Sequence, residues 1–334
     1  MPIGMSDVAR KAGVSVTTVS HVINETRPVA RYTRDRVLSA VRELSYYKNA
    51  SARLLVRGES NSFGLIISDI ENPFFPELIK SFEQACLSRG METILCTTNY
   101  ARDQAQKAVR RMLESRVRGV AIMTSQLDSD LLAQLAGNHL PLVLLDSPPK
   151  RAGRSNIAVN YSHGISEAVK HLGDLGHRAI AVITGPINRI SASTHRENLI
   201  SALRQVRCEP FRVIEGDNRP ESGAAAARDL LSSPNRPTAL LCGNDRMAIG
   251  AMSAAFGLGF RVPEDISVIG ADDVLFARYL NPPLTTIRVP RDRLGKLCFE
   301  TLERMLKTKR HLGIEQTVET ELVVRQSTGP ASSR

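Results

Sequence analysis

The sequence has no long apolar run and few cysteines, and these absences exclude several classes of protein. No apolar segment approaches the roughly 18 residues that a membrane-spanning helix needs. The first 30 residues are polar and charged, so we expect no signal peptide. The five cysteines are odd in number, scattered and without metal-ligand spacing, as is typical of reduced cytosolic thiols: Cys86, Cys96, Cys208, Cys242 and Cys298. A secreted protein built on disulfides is therefore excluded.

Length and composition point to a globular chain of more than one domain. The 334 residues are 23% charged and 42% hydrophobic, which fits disorder, collagen or a coiled coil poorly. At roughly 100–200 residues for each domain, the length predicts two or three domains.

Positive charge is concentrated near the N-terminus. The chain has 44 Lys and Arg against 34 Asp and Glu, a net charge of +10. Residues 1–60 carry ten basic and five acidic side chains, and so hold half of the excess in under a fifth of the chain. This asymmetry favours a nucleic-acid-binding head on a more neutral body, although a solvated basic face would give the same count.

The N-terminal pattern predicts three short helices. Ser6 is a candidate N-cap of the first helix, which Gly13 ends; Ser15 caps the second, and a third begins after Thr33. Apolar side chains recur at helical spacing in all three segments: Val8, Ala9, Ala12, Val16, Val19, Ile23, Val37, Val41 and Leu44. Two short helices joined by a glycine turn, with a third beside them, indicate a helix-turn-helix with one small shared core.

The second helix carries short hydrogen-bonding side chains away from that core. Thr17, Thr18, Ser20 and His21 suit the reading of base edges in a DNA major groove. The alternative is a small packed bundle with a polar outer face.

The N-terminal segment resembles the LacI/GalR family of bacterial regulators. The resemblance is carried by the run Thr17-Thr18-Val19-Ser20-His21-Val22-Ile23-Asn24, together with residues 6–16 before it and 30–46 after it. The head is most similar to the ribose and purine repressors of that family, and the resemblance extends to about residue 328. It implies that Val16, Thr17 and His21 touch bases, whereas Thr18, Ser20 and the backbone near Ser15 meet phosphates.

Residues 49–58 predict a hinge helix, with Asn49 as its cap and Gly58 as its end. A helix of under three turns is marginal alone, so it needs a partner. The resemblance implies that two such helices pair across a dimer in the minor groove, that Asn49 and Arg53 contact DNA, and that Leu55 wedges between base steps. The alternative is a linker anchored on the next domain. Lys48 departs from the family, which usually has proline there.

From residue 62 onwards, short apolar runs alternate with helical segments, which predicts parallel sheets covered by helices. Strands are expected at residues 63–68, 93–97, 119–123, 142–146, 179–184, 212–215, 239–242, 267–271 and 317–324. Helices are expected at residues 76–89, 102–115, 161–175, 192–206, 220–231, 245–257 and 291–307. The resemblance implies two Rossmann-like subdomains that form the clamshell of type I periplasmic binding proteins.

These patterns predict three parts of the chain: a helix-turn-helix domain at 1–48, a hinge helix and linker at 49–60, and an effector-binding and dimerisation domain at 61–330. Within the last, we expect an N-subdomain of about 61–160 plus 291–318. The C-subdomain would be about 161–290 plus 319–328.

Acids, amides and aromatic rings follow the predicted strands, where open α/β sheets bind their ligands. With the resemblance, this predicts an effector site made of Asp69, Phe74, Phe75, Asp146, Arg189, His195, Arg196, Asn218, Asn244 and Asp272. Local alternatives remain for three positions. Asp245 is expected to cap the following helix, Asp273 to bond a loop backbone, and Phe75 can instead be core packing.

Two departures from the family bear on the effector. His195 occupies the position of a common arginine, with Arg196 beside it, and Asn218 stands where relatives often have an aromatic residue. Loss of a stacking ring argues against a flat purine and favours a hydroxylated ligand, so the expected effector is a sugar such as ribose. A purine or another metabolite is the alternative.

Catalytic motifs are missing from the sequence, which has no Walker loop, nucleophile elbow, His-Glu-x-x-His or Gly-x-Gly-x-x-Gly that opens a helix. We therefore expect no enzyme activity, cofactor or metal; a sugar-binding protein or an enzyme without a DNA role is a distant alternative. The prediction is a cytoplasmic, homodimeric repressor that reads a pseudo-palindromic operator on double-stranded DNA under the control of a small molecule.

Overall fold

The computed structural model describes residues 3–46, 60–124, 127–146, 152–187, 190–308 and 312–332. The chain divides into two compact units, Met1–Ser60 and Asn61–Arg334. The predicted hinge contacts of Asn49, Arg53 and Leu55, and the predicted effector contact of Arg189, lie outside the described residues.

The smaller unit contains helices α1 (Met5–Ala12), α2 (Val16–Asn24) and α3 (Arg31–Glu43). The prediction that Ser6 caps α1 is wrong, because Gly4 is the N-cap and its N–H donates to Asp7 at 3.0 Å. Gly13 ends α1 in the left-handed conformation with φ 61°, as predicted. The prediction for Ser15 is also confirmed, since its hydroxyl accepts the Thr18 N–H at 3.1 Å.

One small core joins the three helices. Its buried residues are Val8, Ala9, Ala12, Val19, Val22, Val37 and Ala40. The expectation that Val16 belongs to it is wrong: this side chain is 44% exposed, and Val22, one turn after Val19, takes the inner face. Helix α3 also begins at Arg31, before the predicted Thr33.

The larger unit alternates strands and helices. Its strands are β1 (Ser62–Ile67), β2 (Glu92–Thr97), β3 (Val120–Met123), β4 (Leu142–Leu145), β5 (Arg154–Asn160), β6 (Ile180–Thr184), β7 (Arg212–Glu215), β8 (Ala239–Cys242), β9 (Ser267–Asp272), β10 (Thr285–Arg288), β11 (Glu315–Glu319) and β12 (Glu321–Val323). Its helices are α4 (Phe74–Leu87), α5 (Arg102–Glu114), α6 (Ser129–Gly137), α7 (Ser162–Asp174), α8 (Ile190–Gln205), α9 (Pro220–Leu231), α10 (Asp245–Gly257) and α11 (Arg291–Lys307), with a 3₁₀ helix at Leu275–Tyr279.

These strands form two six-stranded sheets, which define a first and a second subdomain. The first sheet has the order β11-β5-β4-β3-β1-β2 and is parallel throughout. The second has the order β12-β10-β9-β8-β6-β7 and is parallel except for β12. Helices cover both faces of each sheet, with α4 and α11 opposite α5 and α6, and α9 and α10 opposite α7 and α8. The predicted fold class is confirmed.

The last predicted strand, 317–324, is in fact two strands in different sheets. Thr320 separates them and is buried; its hydroxyl donates to the Asn160 carbonyl at 2.9 Å and accepts the Gly164 N–H at 3.3 Å. These hydrogen bonds pair the Thr320 hydroxyl and two backbone groups at the point where the chain passes from the first sheet to the second. A continuous β-type pattern in the sequence conceals the break.

The sequence pattern missed β5, β10 and α6. Both strands carry buried polar residues that weaken an apolar pattern, such as Ser155 in β5 and Thr285 in β10. The Ser155 hydroxyl accepts the Ile314 N–H at 2.9 Å, and the Thr285 N–H donates to Ser327 at 2.8 Å. Partners from remote segments therefore allow polar side chains inside a sheet.

In the described part of the chain, no helix is both long and apolar enough to cross a membrane. All five cysteines are free, and four of them are buried.

Candidate ligand cavity and nucleic-acid interface

A cavity of about 140 Å³ lies where the carboxyl ends of strands from both sheets meet. It is lined by Asn72, Phe74, Tyr161, Gly185, His195, Asn218, Gly243, Asn244 and Asp272. Five of these are predicted effector-site residues: Phe74, His195, Asn218, Asn244 and Asp272. The structure thus brings together half of the ten predicted positions.

The loop after β1 and the start of α4 form the wall from the first subdomain. Asn72 accepts the Phe74 N–H at 3.1 Å, which fixes the first turn of α4. The rings of Phe74 and Phe75 meet edge to face with centroids 5.3 Å apart. Both rings pack into the core of the first subdomain, and Phe74 also borders the cavity. Phe75 does not line the cavity, which agrees with the alternative that it is core packing.

Tyr161 also lines the cavity, and the sequence interpretation missed it. It directly follows β5, and its ring meets the His195 ring edge to face at 4.9 Å. Burial, together with the nearby carboxylates of Asp146 and Asp272, raises the pKa of Tyr161 well above its usual value. Recognition of β5 as a strand would have marked Tyr161 as a strand-end residue.

On the side of the second subdomain, Asn244 caps α10. Its carbonyl oxygen accepts the Met247 N–H at 2.8 Å, and its amide donates to the Asn218 carbonyl at 3.3 Å. The expectation that Asp245 is the cap is therefore wrong. Asp245 is fully buried instead, where its carboxylate accepts the Val274 N–H at 2.8 Å and the Thr286 hydroxyl at 2.5 Å.

Asp272 reaches the cavity from the end of β9 with an unusual backbone. Its φ is 110° and that of Asp273 is 53°, so both residues occupy conformations that are costly outside glycine. Burial raises the pKa of Asp272 to about 7, although the positive charge of Arg291 opposes the rise. This carboxyl can therefore change protonation state near neutral pH.

Within the described part of the chain, the Asp273 carboxylate binds arginine side chains and no loop backbone N–H, so the expectation of a backbone bond is wrong. Its carboxylate pairs with Arg325 at 2.5 Å, and both side chains are buried or nearly so. Its carbonyl accepts a 2.7 Å hydrogen bond from Arg291, which also binds Glu77 at 2.6 Å and lies 6.0 Å over the Phe74 ring. Arg291 thus links the Asp273 turn to α4.

Two predicted effector residues have other partners. Asp146 accepts the Val159 N–H at 2.7 Å; burial raises its pKa to about 6, against the effect of that bond. Asp69 pairs with Arg246 on α10 at 3.6 Å and accepts the Glu71 N–H at 2.9 Å. The Asp69–Arg246 pair therefore joins the first subdomain to the second, and neither carboxylate is among the cavity-lining groups.

His195, and not Arg196, borders the cavity. Its side chain is 8% exposed, and its Nε2 has no hydrogen-bond partner among the described residues. Burial lowers the pKa of His195 to about 4, so the ring is neutral near pH 7.

In the smaller unit, the start of α2 presents the candidate nucleic-acid interface. Val16 and Thr17 are exposed. Three other polar residues of α2, Thr18, Ser20 and His21, have hydrogen-bond partners within the smaller unit. Thr18 lies 2.8 Å from the Ser15 hydroxyl, Ser20 accepts from Asn24 at 3.2 Å, and His21 Nδ1 lies 2.8 Å from the Thr26 hydroxyl. These contacts hold the polar side chains in place on one helix face.

Family models match a segment in each of the two units of the chain. Residues 4–49 match the family described as bacterial regulatory proteins, lacI family, and residues 169–328 match the periplasmic binding protein-like domain. Curated relatives include the HTH-type transcriptional repressor PurR of Edwardsiella ictaluri, 39% identical over 97% of this chain and 96% of the relative. PurR of Photorhabdus laumondii is 40% identical over the same shares.

Solved structures agree with these relatives. The lac repressor dimer bound to operator and the anti-inducer ONPF superposes with a TM-score of 0.87 at 30% identity, over 98% of this chain and 100% of that one. A LacI family transcriptional regulator from Enterococcus faecium with bound ribose gives a TM-score of 0.72 at 27% identity, over 81% of this chain and 100% of that one.

Proposed function

Because the chain belongs to the LacI family of bacterial regulatory proteins and is a DNA-binding transcriptional repressor, we propose that a small molecule controls its binding to DNA. We propose that this effector is a purine and that it binds in the cavity. The observation that carries the proposal is the full-length similarity to PurR repressors, at 38–40% identity over 97% of the chain. These relatives are repressors and not enzymes. We infer that this chain acts in the cytoplasm, where its DNA lies.

The chemistry of the cavity supports a purine. Phe74 and Tyr161 supply aromatic rings that can pack against a flat heterocycle. The side-chain amides of Asn72 and Asn244 offer both donors and acceptors, and Asp272 can accept from a ring N–H. A nucleobase edge, which alternates N–H groups with lone pairs, matches this set.

A sugar such as ribose is the second candidate. Asn218, a polar amide, lines the cavity where relatives often carry an aromatic side chain, and amides suit hydroxyl groups. The Enterococcus faecium family member with bound ribose makes this candidate concrete. The PurR relatives, which are more similar in sequence, favour the purine.

For DNA recognition, we propose that α2 enters the major groove. Its exposed first turn would place Val16 and Thr17 against bases, with His21 held beside them by Thr26. Ser15, Thr18 and Ser20 would meet phosphates. The minor-groove contacts of Asn49, Arg53 and Leu55 remain a proposal that rests on the family resemblance.

We further propose that two copies form the active repressor through the second subdomain. Its 3₁₀ helix exposes Phe276 (58%) and Tyr279 (73%), and α10 exposes Phe256 beside a groove of about 230 Å³ that Leu280 also lines. Large apolar side chains clustered at a surface mark an interaction site. The occupant is a second copy, because a two-fold protein matches a pseudo-palindromic operator.

A binding screen tests the proposed effector. The full chain is titrated calorimetrically with hypoxanthine, guanine, adenine and ribose at equal concentrations. Saturable binding of at least one purine base, with ribose much weaker, is the expected result. Binding of ribose with no purine would replace the first candidate with the second.

A further inference from the structure

Among the described residues that line the cavity, His195 has a buried side-chain nitrogen without a hydrogen-bond partner. It lies on α8, only 8% exposed, and borders the cavity. Its Nε2 is buried and accepts or donates no hydrogen bond within the described part of the chain. Because nearly all buried polar atoms in folded proteins are paired, an unpaired one at a cavity wall points to a ligand as its partner.

Two features define what His195 can offer such a ligand. Burial lowers the pKa of His195 to about 4, so the ring carries no charge near neutral pH. The edge-to-face contact with Tyr161, with centroids 4.9 Å apart, orients the ring. A neutral imidazole has one N–H and one lone pair, so its Nε2 forms a single hydrogen bond, as donor or acceptor according to tautomer.

We propose that His195 determines effector specificity by giving its Nε2 to one uncharged hydrogen-bonding group of the effector. The inference rests on the proposed function, since it assumes that the cavity binds the effector. A permanently charged side chain at this place would favour an anionic group, whereas a neutral imidazole favours a ring nitrogen, an N–H or a hydroxyl. Free bases, with such uncharged edges, fit this requirement.

Three substitutions separate the role of Nε2 from that of the ring. His195→Gln keeps a polar atom at about the reach of Nε2, and His195→Asn reaches only as far as Nδ1. His195→Phe keeps a ring against Tyr161 and removes both nitrogens. The exposed neighbour on the same helix supplies the control, Glu197→Gln. Thermal melts of all four variants check that they fold.

The experiment titrates each protein calorimetrically with the purine base that the wild type binds best. We expect His195→Asn and His195→Phe to raise Kd about 10-fold to 100-fold, the effect of losing one buried hydrogen bond. His195→Gln should stay within a few-fold of the wild type, and Glu197→Gln should match it. Equal affinity in all variants, or equal losses in the Gln and Asn variants, would overturn the inference.

The failure of this inference is distinguishable from failure of the proposed function. If the wild type binds ribose and no purine, the purine proposal fails, and the same variants titrated with ribose still test His195. If the wild type binds none of the bases and no ribose, both are overturned.

Discussion

Breaking the ion pair between Asp69 and Arg246 should weaken effector binding, because this pair joins the two subdomains that together form the cavity. Arg246 Nη1 lies 3.6 Å from Asp69 Oδ2, and the side chains are 17% and 15% exposed. At an effective dielectric constant of about 20, two unit charges at this separation attract by roughly 4–5 kcal/mol before desolvation is subtracted. Desolvation removes most of that attraction, and we expect a net coupling of about 1 kcal/mol, or about a five-fold change in Kd.

A double-mutant cycle isolates this coupling. Asp69→Asn, Arg246→Gln and the double variant are titrated with the best purine base by calorimetry, and the interaction energy is taken from the four values. An exposed pair within the second subdomain, Arg204 with Glu209 at 3.3 Å, supplies the control Glu209→Gln. A coupling energy near zero, or an equally large effect of the control, would refute the idea that the pair stabilises the arrangement that binds effector.

Three further outcomes are expected. The pKa of Asp272 is raised to about 7, so the folded chain keeps this proton to a higher pH than the unfolded chain does. The free energy of unfolding therefore falls as pH rises from about 4 to 7. Asp272→Asn removes this titration and should make the free energy of unfolding depend less on pH in that range. Thermal melts across that range check it, and an unchanged pH slope would contradict the burial argument. His21→Ala should relax base preference at one position in each half-site by about 1–3 kcal/mol, as measured by selection from random DNA; unaltered preference would remove His21 from recognition. Tyr279→Ser should shift sedimentation from dimer towards monomer, and an unshifted dimer would place the interface elsewhere.

Local signals in the sequence predicted the features that depend on neighbouring residues. Gly13 ends α1 and Ser15 caps α2, because capping involves atoms only a few positions away. The strand-end rule placed Asn244 and Asp272 at the cavity, because the carboxyl ends of parallel strands meet at one edge.

Remote partners decided the rest. Four aspartates lie at or just after the carboxyl end of a strand: Asp69, Asp146, Asp245 and Asp272. Of these four, only Asp272 lines the cavity. The others bind, respectively, Arg246, the Val159 N–H and the Thr286 hydroxyl, which other segments of the fold supply. Residue type and local position are the same for such acids, so the sequence pattern could not separate them. Tyr161 was missed for a related reason, since the buried polar residues of β5 concealed the strand that precedes it.

The most direct test of the account measures operator affinity as effector is added. A fluorescent operator, selected in vitro from random DNA, is titrated with the full chain at fixed salt, with a purine base or ribose present. The account predicts sequence-specific, salt-sensitive binding whose Kd changes with the purine and not with ribose. A Kd that responds to ribose alone, or that is the same for selected and random DNA, would contradict it.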